Sequence, residues 1–366
     1  MKSISSLLRS VMVLWTILAV ALLAVPRAGH AACSTTVSYL KGQLNNITTT
    51  HGGRQRTYRV WVPADHSDLS PLIFVFHGGG GNSLQIRKQA LMELVATEAL
   101  VVYPDGTGAI PTWNGGICCG FAQTNNVDDI GFVRQMISEI KSNACVDPDR
   151  VYSTGMSNGG ILSHRIACEL PDQFAAIAGV AAQLQIASCN PSQKVGVLII
   201  HGLDDSNVPM EGGQGCGISD TNYYPISYAV NTWAHRNSCP CQTFNGTCAQ
   251  SGVEGSTTEA VCTDYCGSTI PRVRTCFGNW THIWPRQSYT DQETFGDCPA
   301  ARGPLDFNAS STAWAFFREH SLREPTSSPT SSPTKTSTAA DVYPLAALRV
   351  IQSLVMVIVI AVTLLL

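Results

Sequence analysis

The chain has 366 residues, of which 13% are charged, and its formal net charge is −3 at pH 7. This length accommodates one large domain or two small ones. A nearly neutral chain without a block of basic residues is not expected to bind nucleic acid, so that class of function is excluded.

The first 31 residues are predicted to form a secretory signal peptide. Lys2 and Arg9 precede a long apolar run, and the small residues Gly29 and Ala31 follow it. This order of basic, apolar and small residues is typical of a signal peptide, and cleavage is predicted after Ala31. A retained membrane anchor is the alternative interpretation.

Residues 32–322 alternate between strand and helix patterns, which predicts one α/β domain. Continuous apolar runs, typical of buried parallel strands, lie at 71–78, 99–106, 174–182 and 194–202. Apolar residues recur at helical spacing within 126–143, 158–170, 226–236 and 311–322. The alternation favours a mostly parallel sheet with helices on both faces, where ligands bind beyond the carboxyl ends of the strands. Asp128 and Asp129 are interpreted as caps of the first helix.

A glycine-rich loop, HGGGGN at 77–82, directly follows the first apolar run. Glycines allow the backbone to approach a ligand closely, so the loop is a candidate binding element. A phosphate-binding loop is the alternative, but the Gly-Lys-Ser/Thr sequence that such a loop requires does not follow.

The segment from Gly155 to Gly159 fits the pattern Gly-x-Ser-x-Gly, with Ser157 at its centre. A β-prone run precedes the serine and an amphipathic helix follows it, which is the context of a nucleophile on a sharp strand-to-helix turn. The backbone N–H of Asn158, and one from the glycine-rich loop, would then stabilise a developing oxyanion. A glycine-rich turn without a catalytic role is the alternative.

A serine nucleophile needs a base, and the base needs an acid that orients it. Asp204 and Asp205 both follow the last apolar run, and the residues alone do not choose between them. Beyond them lie His235, His282 and His320. His235 and His320 fall in predicted helices, where a solvent-exposed face is the simpler interpretation, whereas His282 lies in a loop before the last helix and is predicted to be the base.

The chain contains 14 cysteines, which are predicted to form disulfides in an oxidising compartment. Zinc is the alternative for the cysteine-rich segment 237–276, but paired Cys-x-x-Cys spacings are absent there, so no metal site is predicted. The neighbours Cys118 and Cys119 are expected to bond to two separate partners, because a ring between adjacent residues is strained.

The C-terminal part changes composition. Residues 323–341 are rich in Ser, Thr and Pro and are predicted to form an extended stalk. Residues 342–366 form an apolar tail without following basic residues, which favours a GPI-attachment signal over a membrane-spanning tail. Together with Asn-x-Ser/Thr patterns at Asn46, Asn245, Asn279 and Asn308, these features predict an extracellular, cell-surface glycoprotein.

Seven segments together resemble the secreted α/β-hydrolase family that groups feruloyl esterases with polyhydroxybutyrate-depolymerase-like proteins. They lie within residues 55–320 and read PLIFVFHGGGG, WNGGICCG, NNVDDIGFV, VDPDRVYSTGMSNGG, FAAIAGVA, HGLDDSNVP and HIWP. The resemblance implies an α/β-hydrolase fold that needs no cofactor. It implies that Ser157 is the nucleophile, His282 the general base, Asp205 rather than Asp204 the orienting acid, and Gly79 the second oxyanion donor. Many members carry glycines before the catalytic histidine, where this chain has residues 279–281 as Asn-Trp-Thr.

The predicted function is that of a secreted serine esterase. Its expected substrate is a feruloyl-type ester on plant cell-wall polysaccharide, with a polyhydroxyalkanoate or acetylated xylan as alternatives. A cell-surface binding protein on an inactive hydrolase fold is the non-enzyme alternative. Trp113 and Trp284 are candidates for stacking on an aromatic acyl group, with ordinary burial in the core as the alternative.

Overall fold

The structure is a computed structural model that describes residues 35–217, 221–286, 298, 302–304 and 306–323. These residues fall in one compact unit that ends at Glu324. The predicted signal peptide, the C-terminal tail and all but the first residue of the predicted stalk lie outside the described residues. Within the described ranges, none of the helices has both the length and the apolar character needed to cross a membrane.

A ten-stranded sheet runs through the described part of the chain. Its strands are β1 (Gln43–His51), β2 (Arg54–Val62), β3 (Ser70–Phe76), β4 (Leu100–Pro104), β5 (Val146–Met156), β6 (Ala176–Val180), β7 (Gly196–Gly202), β10 (Gln250–Ser251), β11 (Ala260–Asp264) and β12 (Val273–Gly278). A separate two-stranded ribbon consists of β8 (Gly213–Gln214) and β9 (Asn222–Tyr223). The described helices are α1 (Ser83–Ala90), α2 (Met92–Val95), α3 (Gly120–Thr124), α4 (Asp129–Asn143), α5 (Asn158–Glu169), α6 (Ile226–Arg236) and α7 (Ala309–Arg318).

The strand order explains where a ligand can bind. The sheet runs β1-β2-β4-β3-β5-β6-β7-β12-β11-β10, and its central strands from β4 to β12 are parallel. Antiparallel pairs extend both edges. The chain leaves β3 towards β4 on one side and later enters β5 on the other side, so the order reverses between β3 and β5. A crevice forms beyond the carboxyl ends of strands at such a reversal.

Helices pack against the apolar strand residues on both faces of the sheet, which confirms the predicted fold class. Successive side chains of a strand point to opposite faces. Ile73 and Val75 of β3 join a cluster with residues of α1, α2 and α7, whereas Phe74 and Phe76 join a cluster with residues of α4 and α5. A strand that is buried on both faces reads as a continuous apolar run, which is why β3 was visible in the sequence.

The described cysteines all form disulfides, and none of them is free. The bonds Cys239–Cys266, Cys241–Cys248 and Cys262–Cys276 lie within the cysteine-rich segment. Further bonds join Cys168 to Cys189 and Cys216 to Cys298. This density of disulfides is typical of an extracellular protein.

The expectation for Cys118 and Cys119 is wrong, because the two residues bond to each other. The expectation rested on the strain of a ring between adjacent residues. The structure nonetheless places their Cα atoms 3.1 Å apart, across a cis peptide.

The interpretation of His320 as a solvent-exposed helix residue is also wrong. Helix α7 ends at Arg318, and His320 is only 2% exposed. Its Nδ1–H donates to the Phe316 carbonyl at 2.8 Å, and its Nε2 accepts the Arg272 N–H at 3.0 Å. Only the neutral ring can make both contacts, and burial lowers the pKa of His320 to about 4.

The buried His320 makes stability depend on pH. Below pH 6.5 the unfolded chain binds a proton that the native ring, with a pKa of about 4, does not yet bind. Unfolding therefore takes up a proton, and acid favours it. We expect this residue to lower the free energy of unfolding by about 1.4 kcal/mol per pH unit across that range. We expect the free energy of unfolding, measured with urea between pH 6.5 and 4.5, to fall less steeply with decreasing pH in His320→Gln than in the wild type. An equal dependence on pH in the two proteins would contradict this.

Candidate active site

Ser157 lies on the turn between β5 and α5. Its backbone angles are φ 53° and ψ −125°, in a region that residues with a side chain rarely adopt. A Cβ on Gly155 would lie 2.6 Å from the carbonyl group of Gly159, and a Cβ on Gly159 would clash with the Phe76 carbonyl. The two glycines therefore allow the close approach of strand and helix that exposes Ser157 at the end of the sheet.

His282 and Asp205 are in direct contact. The Nδ1 atom of His282 lies 2.8 Å from Oδ2 of Asp205. The other carboxylate oxygen of Asp205 accepts the backbone N–H groups of Asn207 at 3.0 Å and Val208 at 2.8 Å. The carboxylate is thus fixed by its own loop, and its contact with Nδ1 leaves Nε2 of His282 as the acceptor of a proton.

The electrostatics of Asp205 favour its ionised form. Burial alone would raise its pKa, but the nearby His282 and His201, together with the hydrogen bonds, outweigh burial and lower the pKa of Asp205 below the ordinary carboxylate value. His201 lies with Nε2 3.5 Å from Oδ2 of Asp205 and 2.8 Å from the Val208 carbonyl. A buried carboxylate that stays ionised can stabilise a positively charged His282.

The geometry selects between the two neighbouring aspartates. Asp204 pairs with Arg302 at the surface, where the two side chains are 53% and 59% exposed. Asp205 is 4% exposed and makes the contact to His282. The structure therefore brings Asp205 and not Asp204 to the predicted base.

Ser157 and His282 line the same cavity of about 420 Å³. The glycine-rich loop at 78–81, α1 and the start of α5 line it as well. Apolar side chains, among them Ile110, Phe121 and Met156, face it together with polar Gln85, Gln89 and Asn207. The volume lies within the range of small-molecule sites.

The glycine-rich loop is held beside Ser157 by the ring of His77. Burial lowers the pKa of His77, so the ring is neutral. Its Nδ1–H donates to the Gly78 carbonyl at 2.7 Å, and its Nε2 accepts the Gly106 N–H at 2.9 Å. Gly80 donates its N–H to the Pro111 carbonyl at 2.8 Å. These contacts fix the loop on which the predicted donor Gly79 lies.

Asn158 is the first residue of α5, where a backbone N–H has no partner within the helix. Asn158 and Gly79 both line the cavity with Ser157. The structure thus brings the predicted oxyanion donors to the predicted nucleophile.

The two tryptophans do not fit the stacking role expected of them. Trp113 and Trp284 are both 0% exposed, and neither lines the cavity. The Nε1–H of Trp113 donates to the His77 carbonyl at 3.0 Å, and that of Trp284 donates to Ser310 Oγ at 3.0 Å. Their burial and these contacts support the alternative of structural residues.

Sequence reasoning missed the aromatic residues that line the cavity, Phe121 and the buried Tyr223. Phe121 is 38% exposed, and the guanidinium carbon of Arg54 lies 5.5 Å from the centre of its ring. The ring also lies so close to Gly108 that a Cβ there would be 2.7 Å away. Phe121 follows the motif WNGGICCG by one residue, and no spacing rule distinguishes it from other surface phenylalanines.

Comparison with known proteins identifies esterases among the relatives. The chain is 32% identical over 184 residues to feruloyl esterase B of Piromyces equi, covering 46% of this chain and 33% of that protein. It is 28% identical over 179 residues to feruloyl esterase C of Emericella nidulans, covering 45% of this chain and 62% of that protein. The chain thus spans less than two thirds of the length of these two relatives.

Among solved structures, acetyl xylan esterase from Aspergillus awamori superposes with a TM-score of 0.49 at 17% identity, covering 67% of this chain and 96% of that one. No protein-family model matches the chain.

Proposed function

We propose that this feruloyl esterase-like α/β-hydrolase cleaves carboxylic esters through an acyl-enzyme on Ser157. The observation that carries the proposal is the joint placement of three groups. A serine on a strained turn shares a cavity with His282, and a buried Asp205 holds the Nδ1 atom of that histidine at 2.8 Å. This is the arrangement that a weak hydroxyl nucleophile needs.

The proposed reaction has two steps. Nε2 of His282 takes the proton of Ser157 Oγ while that oxygen attacks the ester carbonyl carbon. The N–H groups of Asn158 and Gly79 stabilise the negative oxygen of the tetrahedral intermediate. The alcohol leaves with the proton from His282, and a water molecule, activated by the same ring, then hydrolyses the acyl-enzyme to release the acid.

A feruloyl-type ester is the substrate that the cavity supports best. Among its described lining residues there is no Asp, Glu, Lys or Arg, which suits an uncharged ester. Its mouth carries the apolar side chains of Ile110, 54% exposed, and Phe121, 38% exposed. An aromatic acyl group can bury area against both and pack against the Phe121 ring. The two curated relatives named feruloyl esterase support the same choice.

The substrate class is tested by comparing three esters with the purified chain: methyl ferulate, a 3-hydroxybutyrate oligomer and acetylated xylan. Ser157→Ala serves as the blank for each. We expect the highest kcat/KM with methyl ferulate. Turnover of the oligomer or of acetylxylan alone would keep the mechanism and assign one of the alternative substrates, whereas no turnover of any ester would favour a binding protein on an inactive fold.

Shortening Phe121 should weaken binding of aromatic esters selectively. We expect Phe121→Ala to raise KM for methyl ferulate about 5- to 10-fold, because it removes about 1 kcal/mol of apolar and ring contact. KM for a small acetyl ester should change less than about 2-fold, because an acetyl group buries little apolar area. Leu94→Ala is the control, since Leu94 is 66% exposed and does not line the cavity. Equal changes for both esters would show that Phe121 does not contact the acyl group.

We further propose that the chain is exported and remains at the cell surface through a GPI anchor. The signal-peptide pattern and the apolar tail after a Ser/Thr/Pro-rich stalk support this proposal. Phosphatidylinositol-specific phospholipase C should release the protein from intact cells. Retention, while a known GPI-anchored protein is released from the same cells, would contradict the anchor.

A further inference from the structure

A buried ion pair joins β2 to α4. Arg56 of β2 is 2% exposed and Asp129 of α4 is 0% exposed, and Nη2 of Arg56 lies 2.8 Å from Oδ1 of Asp129. The interpretation of Asp129 as a helix cap is therefore wrong. Asp128 caps α4 by accepting the Gly131 N–H at 2.8 Å, while Asp129 points into the protein.

Asp129 also holds the backbone of the neighbouring loop. Its Oδ2 accepts the N–H of Asn114 at 2.8 Å, so one carboxylate joins Arg56 to the loop that carries Trp113. The guanidinium of Arg56 lies 4.0 Å from the ring centre of Phe132, which fixes it from another side. A buried ion pair adds little net stability over apolar residues of similar size. Its effect here is therefore sought in how it positions the groups bonded to it.

Trp113 contacts both segments that carry the proposed oxyanion donors, the start of α5 and the glycine-rich loop. Its backbone N–H donates to Oδ1 of Asn158 at 2.7 Å, and Nδ2 of Asn158 donates to the Trp113 carbonyl at 2.8 Å. Its indole N–H donates to the carbonyl of His77, the first residue of the glycine-rich loop, at 3.0 Å. The residue thus connects the start of α5 with the loop that carries Gly79.

We propose that Asp129, held by Arg56, is a positioning residue that sets the distance between the two oxyanion donors through Trp113. The inference rests on the proposed ester hydrolysis. Asp129 itself lies outside the cavity lining. It acts by fixing Asn114 and Trp113, which in turn fix Asn158 on one side of Ser157 and His77 on the other. Donors aligned in advance act on the transition state more than on the bound substrate.

The test compares Asp129→Asn with a matched control, Asp264→Asn. Asp264 is also buried, at 1% exposure, lies 3.2 Å from Arg274 Nη2, and accepts a backbone N–H from Cys266 at 3.0 Å. It contacts no residue of the cavity through these bonds. Both variants remove a carboxylate that pairs with a buried arginine, so both should lower the melting temperature. Arg274 keeps a second carboxylate partner, Glu319, at 3.4 Å.

For Asp129→Asn we expect kcat on methyl ferulate to fall about 10- to 100-fold with KM within about 3-fold, since small displacements of aligned groups have effects of this size. Affinity for phenylboronic acid, which forms a tetrahedral adduct on the serine, should fall in parallel, while affinity for the product ferulic acid should not. Asp264→Asn should keep kcat within about 3-fold of wild type, because its pair lies apart from the donors. Equal losses of kcat in the two variants would overturn the positioning role.

Trp113→Phe provides an independent variant if Asp129→Asn does not fold. It removes the indole N–H that bonds to His77 and keeps an apolar ring. A fall in kcat with unchanged KM and ferulic acid affinity supports the connection, and an unchanged kcat overturns it. Wild-type protein without esterase activity would instead refute the proposed function, so the two failures are distinguishable.

Discussion

Replacing Ser157 with alanine is expected to lower kcat for methyl ferulate by about 10⁵- to 10⁶-fold. The substitution removes the oxygen that forms the acyl-enzyme but keeps the backbone that carries the Asn158 N–H. Some acceleration should therefore persist from the oxyanion donors and from binding alone. Initial rates with carefully purified protein, free of other esterases, provide the measurement.

Ser163→Ala is the matched control for this experiment. Ser163 lies on α5, the helix that follows Ser157, and is 0% exposed. Its Oγ forms a hydrogen bond of 2.8 Å with Ser153 Oγ, and it does not line the cavity. It should lose stability without losing kcat. If Ser157→Ala kept more than about one hundredth of the wild-type kcat, a loss far smaller than removal of a nucleophile causes, Ser157 would not be the nucleophile.

Replacing Asp205 with asparagine should lower kcat by about 10⁴-fold, because an amide can favour the wrong tautomer of the histidine and cannot stabilise its charged form. Asp204 does not orient the histidine, since Asp204 pairs with Arg302 at the surface and Asp205 contacts His282. Asp204→Asn should therefore stay within about 3-fold of wild type, as exposed ion pairs contribute little. A larger loss in Asp204→Asn than in Asp205→Asn would reverse the assignment.

The central strands could be predicted from the sequence for a physical reason. Strands buried on both faces are continuous apolar runs. Strands β4, β6 and β7 each lie inside a predicted run, and β3 begins one residue before its run. The hairpin of β1 and β2 was not predicted. The β1 sequence QLNNITTTH is half exposed and largely polar, so its pairing with β2 gives no strong apolar pattern.

The residues of the proposed triad could be found in the sequence because motif context and chain order constrain their positions. The choice between Asp204 and Asp205 was not, since both lie in one loop and only the fold buries one and exposes the other. The resemblance to esterases pointed to Asp205 without a physical reason, and the contact with His282 supplies that reason.

Four of the wrong expectations share one cause, which is that burial is a tertiary property. Trp113, Trp284, His320 and Asp129 carry side chains that can serve at a surface or in a core, and local sequence does not separate the two. For Asp129 the position at a helix start suggested a cap, while the partner Arg56 lies 73 residues away in the chain. Contacts over such separations become visible only when the sheet is assembled.

The most direct test of an acyl-enzyme on Ser157 is covalent labelling with a fluorophosphonate, followed by mass spectrometry of the digested protein. A reactive serine needs its base and its oxyanion donors in place, so labelling reports the assembled site. We expect one phosphonylated peptide that carries Ser157, and its loss in His282→Ala while that variant remains folded. Folded wild-type protein that stays unlabelled, or carries the label on another serine, would contradict the proposed mechanism.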